Sequence, residues 1–383
     1  MYINIMPMKS KLLTLSLVVV FSMGVVAQEN NPIVTAVPSL SIAPDARGGG
    51  MGDVGAATSP DVNSQYWNPA KYVFMESDAG ISVSYTPWLR KLVSDIDLAY
   101  LAGYWKFDNR QAVSMSLRYF SLGDITLMDE FGYPQGSSHP NEIAIDVAYS
   151  RLLSDKFSGS VAFRYIRSDL GNGIAQQEIY PGSAVAADVA AYYRTPISLK
   201  NADGTLSLGA NISNIGSKIS YDKKQTSNFI PTNMRLGASF DYPIDQFNRI
   251  SVSADINKLL VPTPKLNPTT EDLQAYNDMS PLTGIFKSFG DAPGGFSEEL
   301  REISWSLGAE YAYNNQMFVR GGYYNENQYK GNRKYFTAGF GFKLNVFQLD
   351  AAYVISTSQT NPLDQTLRFT LGFDIFGLKN LVK

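Results

Sequence analysis

The sequence has 383 residues, enough for one large domain or two ordinary ones, with no cysteine and a single histidine, His139. A disulfide framework, thiolate chemistry and His-rich metal sites are thereby excluded, and a net charge of −3 gives no broad basic surface for nucleic acid. Charged residues make up 17%, below the roughly 25% of a soluble domain, while Tyr and Phe number 23 and 21.

Residues 1–27 read as a targeting segment. Lys9 and Lys11 form a positive start, Leu12 to Val26 an apolar run, and Val25-Val26-Ala27 a small-residue cleavage site before Gln28. The apolar run is short of the roughly 20 residues that a membrane-spanning helix needs. No later run reaches that length. The expectation is an exported chain without a spanning helix.

A polar, Pro-marked leader follows, and then a stretch from about Val37 to Met75 that is dense in Gly, Ala, Asp and Pro. It contains Arg47-Gly48-Gly49-Gly50-Met51-Gly52-Asp53, Asp61 and Trp67-Asn68-Pro69-Ala70. It has neither strand alternation nor a long amphipathic helix. The glycines lack the Lys-Ser/Thr of a phosphate-binding loop, and no buried parallel strand precedes them. They read as close backbone packing and positive-φ turns.

From Ala79 the pattern changes to period two. Ile143, Ile145, Val147 and Tyr149 alternate with Ala144, Asp146 and Ala148, and Phe347, Leu349, Ala351 and Tyr353 oppose Gln348 and Asp350. About fourteen such segments are expected, each with one apolar and one polar face. They span 79–89, 95–107, 111–121, 141–152, 157–168, 183–195, 204–213, 233–242, 248–258, 303–313, 316–325, 333–344, 346–357 and 366–376. Lengths near ten residues suit tilted membrane strands. The connections alternate. Long polar ones at 122–140, 169–182, 214–232 and 259–302 are interleaved with short turns such as Asp108-Asn109-Arg110 and Asn314-Asn315. Long outer loops alternating with short periplasmic turns mark an outer-membrane β-barrel. The fold class is therefore all-β: a transmembrane barrel of about 14 antiparallel strands. A soluble sandwich shares the period but has no reason for the loop parity.

A barrel this wide is not filled by its own side chains. The inward positions include Arg118, Asp146, Arg164, Asp188, Asp255, Glu310, Arg320, Asp350, Arg368 and Asp374, which can pair with each other or with a plug. The Gly-rich stretch has the size and composition for that plug, with Arg47, Asp53 and Asp61 as its polar contacts.

The run Ser39 to Gly55 and the run Ser64 to Ala70, ahead of the strand series, resemble the N-terminal signature of the PorV (LptO) family within the FadL-like barrels. The Asn-Pro-Ala triplet is common to the wider superfamily, and the joint run is the more specific feature. The resemblance implies a type IX secretion shuttle at the outer membrane, with loops at the cell surface. The implied partners are a large SprA/Sov-like translocon barrel, the C-terminal signal domains of cargo, a PorU-like sortase complex, and outer-membrane lipid and lipopolysaccharide. A FadL-like uptake channel for hydrophobic small molecules and a lipid A O-deacylase are the alternatives.

Two loop features bear on the choice. His139 lies in the outer loop Ser137-Ser138-His139-Pro140 and reads as a solvated side chain rather than a triad base. The 259–302 loop is the expected partner surface, because loops this long are usually functional or disordered. Its candidate contacts are Leu260, Val261, Ile285, Phe286, Phe289 and Phe296, joined by Tyr323, Tyr324 and Tyr329 of a neighbouring hairpin. Trp88, Trp105, Tyr119 and Phe376 fit interfacial girdles. The expected organisation is a signal peptide at 1–27, a leader and lumenal hatch at 28–78, a barrel at 79–376 and a tail at 377–383. No catalytic residue, cofactor or metal is expected.

Overall fold

The computed structural model describes residues 31–90, 93, 95–128, 131–171, 179–199, 202–223, 225–357 and 363–375. The targeting segment, Phe376 and the C-terminal tail lie outside the described residues. Among the described residues sixteen strands form: β1 (Ala79–Pro87), β2 (Ile96–Asp108), β3 (Gln111–Leu122), β4 (Ile125–Met128), β5 (Pro134–Ser138), β6 (Asn141–Ser154), β7 (Phe157–Asp169), β8 (Gly182–Ser198), β9 (Asp203–Gly216), β10 (Asn233–Pro243), β11 (Asn248–Leu259), β12 (Ile303–Tyr313), β13 (Met317–Asn325), β14 (Lys334–Leu344), β15 (Phe347–Ser356) and β16 (Leu367–Asp374). Fourteen make one closed antiparallel barrel, while β4 and β5 form a separate outer hairpin. Closure is the β1–β16 pairing, from Gly80↔Asp374 to Tyr85↔Phe369, and it leaves the sheet no open edge.

The wall is inside-out relative to a soluble sandwich. On β6, Ile145, Val147 and Tyr149 are 41–45% exposed, whereas Ala144, Asp146 and Ala148 are buried. Apolar residues face lipid and polar residues face the lumen, as in outer-membrane barrels. Among the described residues no helix is long and apolar enough to cross a membrane; the strands cross instead. Trp105, Phe107 and Phe157 lie outward near the periplasmic ends, and Tyr119, Tyr165 and Trp305 near the outer ends. Trp88 departs from the girdle reading. It follows Pro87, where β1 pairing ends, and packs against the buried cluster of Ile42, Leu98 and Phe120.

Short turns fix the register. Asn314 and Asn315 both adopt positive φ, 53° and 51°, the geometry of a two-residue turn that matches strand twist. The β8–β9 pair carries a register shift between Ala187 and Val189. There Asn214, at φ 61°, donates its backbone N–H to the inward carboxylate of Asp188 at 2.7 Å.

Residues 37–75 occupy the lumen as short helical turns: Pro38–Ser41, Ala46–Gly49, Ser64–Trp67 and Pro69–Phe74. The segment enters from the outer side, where Asn31 N–H bonds to the carbonyl of Tyr329 and Ala36 N–H to that of Phe229. It leaves at the periplasmic side, where the Ser77 hydroxyl donates to Asp374.

Candidate functional site

The hatch is held by charges that the wall points inward. Arg47 uses all five of its donors. Nε and Nη2 form a fork on the two oxygens of Glu310, both at 3.1 Å; Nη1 reaches Asp61 at 2.9 Å and the Ser59 carbonyl at 3.0 Å; Nη2 also donates to the Ser59 hydroxyl at 2.6 Å. Glu310 accepts again from Arg320, which continues to Asp350 at 2.6 Å. Asp53 accepts from Arg368 at 2.7 Å and from the Tyr335 hydroxyl at 2.6 Å. One Asp255 oxygen takes the backbone N–H groups of Gly55 and Ala56. These are buried groups, so each is favourable only because it is paired.

The motif residues divide the remaining work. Asn68 Nδ2 donates to the Ala56 and Ala191 carbonyls, and its Oδ1 accepts from Ala70 N–H, capping the turn that Pro69 opens. The Pro69 and Ala70 carbonyls accept from Ser150 and Ser158 of the wall. Trp67 Nε1 donates to Asp45, and its ring fills the space where a Cβ on Gly48 or Gly55 would sit. Gly49 and Gly50 lie against Arg368 and Gly339, the Met51 backbone meets Gly308 and Gly322, and Gly52 needs φ +75°. The small residues let the hatch and wall backbones touch.

Two cavities flank the hatch. A vestibule of about 300 Å³ faces the periplasmic side, between Asp61, Glu76, Arg249 and Lys343. A chamber of about 110 Å³ lies between hatch and outer loops, against Tyr66, Trp67, Arg235, Glu302, Arg333 and Tyr335. Its lining is mixed: Ile33, Leu40, Pro231 and Leu259 stand among a larger number of polar and charged side chains.

The 259–302 loop folds into a lid. A helix at Thr270–Asp278 starts with a capping box of Thr269 and Asp272, and a second at Pro281–Lys287 is capped by Ser280. Lys218 donates to the Tyr276 and Asn277 carbonyls at the first helix's end, and Phe229 packs on Tyr276 and beside Gly284. A buried ionic clasp ties the lid down. Lys258 bonds to Glu299 at 3.0 Å and to Glu302 at 2.7 Å, and Lys330 pairs with Glu298 and Glu302. Half-buried Asp291 accepts from Thr263 N–H, and burial raises its carboxyl to about 6.

This geometry divides the sequence-predicted contacts. Phe286 and Phe296 are each 77% exposed on the lid, and Phe289 is also exposed. Ile285 and Tyr329 are half-buried, Tyr329 beneath the Arg301 guanidinium. Four expectations are corrected. Leu260 and Val261 are buried, because Leu260 N–H extends the sheet to the Thr232 carbonyl and draws the pair under the lid. Tyr324 points inward and stacks on Tyr335. Tyr323, one residue earlier, takes the opposite face and packs with Trp305 and Phe336 on the lipid side. The sequence reading missed Leu273, Leu282 and Leu300, all exposed on the same lid. The spacing of Leu282, Phe286 and Phe289 at i, i+4 and i+7 was the available signal.

His139 is exposed, as a solvated side chain would be, yet it is not isolated. Its Nδ1 lies 2.6 Å from Asp124, and its Nε2 lies 3.3 Å from the Ser137 hydroxyl. The Asp124–His139–Ser137 row has triad order, but Asp124 and His139 are largely solvent-exposed and the row sits at a two-stranded outer hairpin. Exposed pairs of this kind are weakly held.

A family model described as type IX secretion system protein PorV matches residues 25–266. Among solved structures, a TodX deltaS2S3 mutant monoaromatic hydrocarbon channel aligns at TM-score 0.52 and 11% identity, over 86% of this chain and 98% of its own. The Pseudomonas putida toluene transporter TodX aligns at TM-score 0.51 and 8% identity, over 90% and 98%. At such identities the likeness establishes the barrel fold alone. No curated protein matches the chain.

Proposed function

Because the chain belongs to the PorV family of type IX secretion system proteins, we propose that it is an outer-membrane shuttle for secreted cargo. It accepts the C-terminal signal domain of cargo on its outer lid, beside a large translocon barrel, and passes the cargo to a PorU-like sortase complex for attachment to lipopolysaccharide. The observation that carries this reading is a lid with exposed Phe286, Phe289 and Phe296 above a plugged lumen. Exposed apolar clusters on a folded surface mark interaction sites. The ionic clasp holds the lid in shape, so the apolar side chains are presented and not collapsed.

The hydrophobic-channel reading draws on the TodX-like fold. A channel of that kind needs an apolar pocket beneath the outer loops, whereas this chamber is lined by Arg235, Arg333 and Glu302. An acyl hydrolase on the outer face is the reading that the Asp124–His139–Ser137 row favours. The exposure of that row gives no preorganised site for a transition state.

Three strains separate the readings, and the first tests the shuttle. Its only copy carries Phe286→Ser, Phe289→Ser and Phe296→Ser, and the shuttle predicts at least tenfold less recovery of cargo signal domain and large barrel from solubilised outer membranes. Heat-modifiable migration checks that the barrel still folds. Wild-type recovery with normal export contradicts the shuttle. Loss of hydrophobic uptake on deletion with export intact supports the channel, and lipid A deacylation lost in His139→Ala supports the hydrolase.

A further inference from the structure

We infer that the chamber between hatch and lid is a binding site for a small carboxylate, held by the guanidinium of Arg235. The inference is independent of the shuttle reading and rests on charge and geometry inside the lumen. Arg47 is paired with Glu310 and Asp61, Arg164 with Asp146 and Asp188, Arg320 with Glu310 and Asp350, and Arg368 with Asp53. At the chamber's outer rim, Lys330 and Arg333 are paired with glutamates.

Arg118, whose Nη1 donates to the Ser39 and Ile42 carbonyls, departs from this pattern, and so does Arg235. Among the described residues no carboxylate lies within ion-pair reach of it. Asp255, on the next strand, lies close enough to feel the Arg235 charge, but the hydrogen bonds it accepts come from the Gly55 and Ala56 amides. Arg235 Nε donates to Asn257 Oδ1 at 2.8 Å, which fixes the plane of the guanidinium. That plane lies 4.7 Å from the Trp67 ring centroid and 5.2 Å from that of Tyr66. Aromatic faces hold the cation in place without using its terminal donors. A half-buried guanidinium with its fork unused is a receptor for a planar, bidentate anion.

Size and charge select the anion. At about 110 Å³ the chamber has room for roughly three or four waters, and acetate fits that space. Asn214 and Asn233 line the same space; each amide nitrogen already donates one hydrogen, to the Pro231 carbonyl and to Asn257 Oδ1, and keeps a second that suits a carboxylate oxygen. Asp53, Glu302 and Glu326 also line it, and their charge disfavours a dianion such as phosphate.

The test uses the mature full-length chain in detergent micelles at low ionic strength. Acetate, inorganic phosphate, and a tripeptide with a free or an amidated C-terminus are titrated against melting temperature and tryptophan emission. Acetate is expected to give a saturable rise in melting temperature, at least tenfold weaker in Arg235→Gln and partly kept in Arg235→Lys. Tighter binding of the free-terminus tripeptide than of acetate identifies a peptide chain end as the source; binding of acetate alone identifies a free small acid. The inference is overturned if no carboxylate gives saturable binding, if phosphate binds more tightly than acetate, or if a folded Arg235→Gln binds like the wild type.

Discussion

Arg47 shows what could and could not be read from the residues themselves. A lone arginine amid glycines, ahead of a wall bearing both signs of charge, had to be paired, and the reading named it with Asp53 and Asp61 as polar contacts. Its main partner, Glu310, is 263 residues away, and only the closed barrel brings the two together. Local pattern carries no information at that separation. Asn68 and Pro69 were legible as a motif, yet their work depends on carbonyls and hydroxyls of β6, β7 and β8. Replacing Arg47 with Met leaves Glu310 and Asp61 buried with fewer partners. Breaking a buried pair in this way costs roughly 3–5 kcal/mol. The expected result is a lower melting temperature of the detergent-solubilised barrel, with Arg47→Lys intermediate because it keeps the charge and loses the fork. An unchanged melting temperature in Arg47→Met would show that the hatch does not rely on this pair.

At the level of elements, the strands were the most legible part, because period-two alternation survives without tertiary context. The lid was the least legible. Its helices are short and capped by local signals, Thr269-Asp272 and Ser280, but their placement depends on Lys218, Phe229 and the clasp of Lys258 and Lys330. That placement decided the fate of Leu260 and Val261, which sequence alone could not separate from Phe286. The lid is also where pH acts. Burial lifts the Asp291 carboxyl from 3.8 to about 6, with Glu299 and Glu302 adding to the shift. A carboxyl raised in the folded state supports lid docking fully below its unfolded value. That support is lost as pH rises through about 6. Limited proteolysis of the lid in isolated outer membranes is therefore expected to be faster at pH 7.5 than at pH 5. Asp291→Asn should flatten the difference, and a difference that persists unchanged in that variant would assign the effect to other groups.

For the whole molecule, the strand count set the lumen width, the width demanded a plug, and the plug turns attention from a pore to the outer surface. The barrel, its girdles and its loop parity followed from alternation, aromatic content and low charge. The chamber did not, because it is bounded by residues from the hatch, β7 and β9 to β14 that meet only on closure. The central claim is that this surface, and not a pore, is the working part. The most direct measurement is the fate of a signal-domain cargo in a deletion strain complemented with wild type or with the Phe286, Phe289 and Phe296 serine variant. The account predicts that wild type restores surface attachment of the cargo, whereas the folded variant leaves it uncleaved and unattached. Full surface attachment by the variant would contradict it.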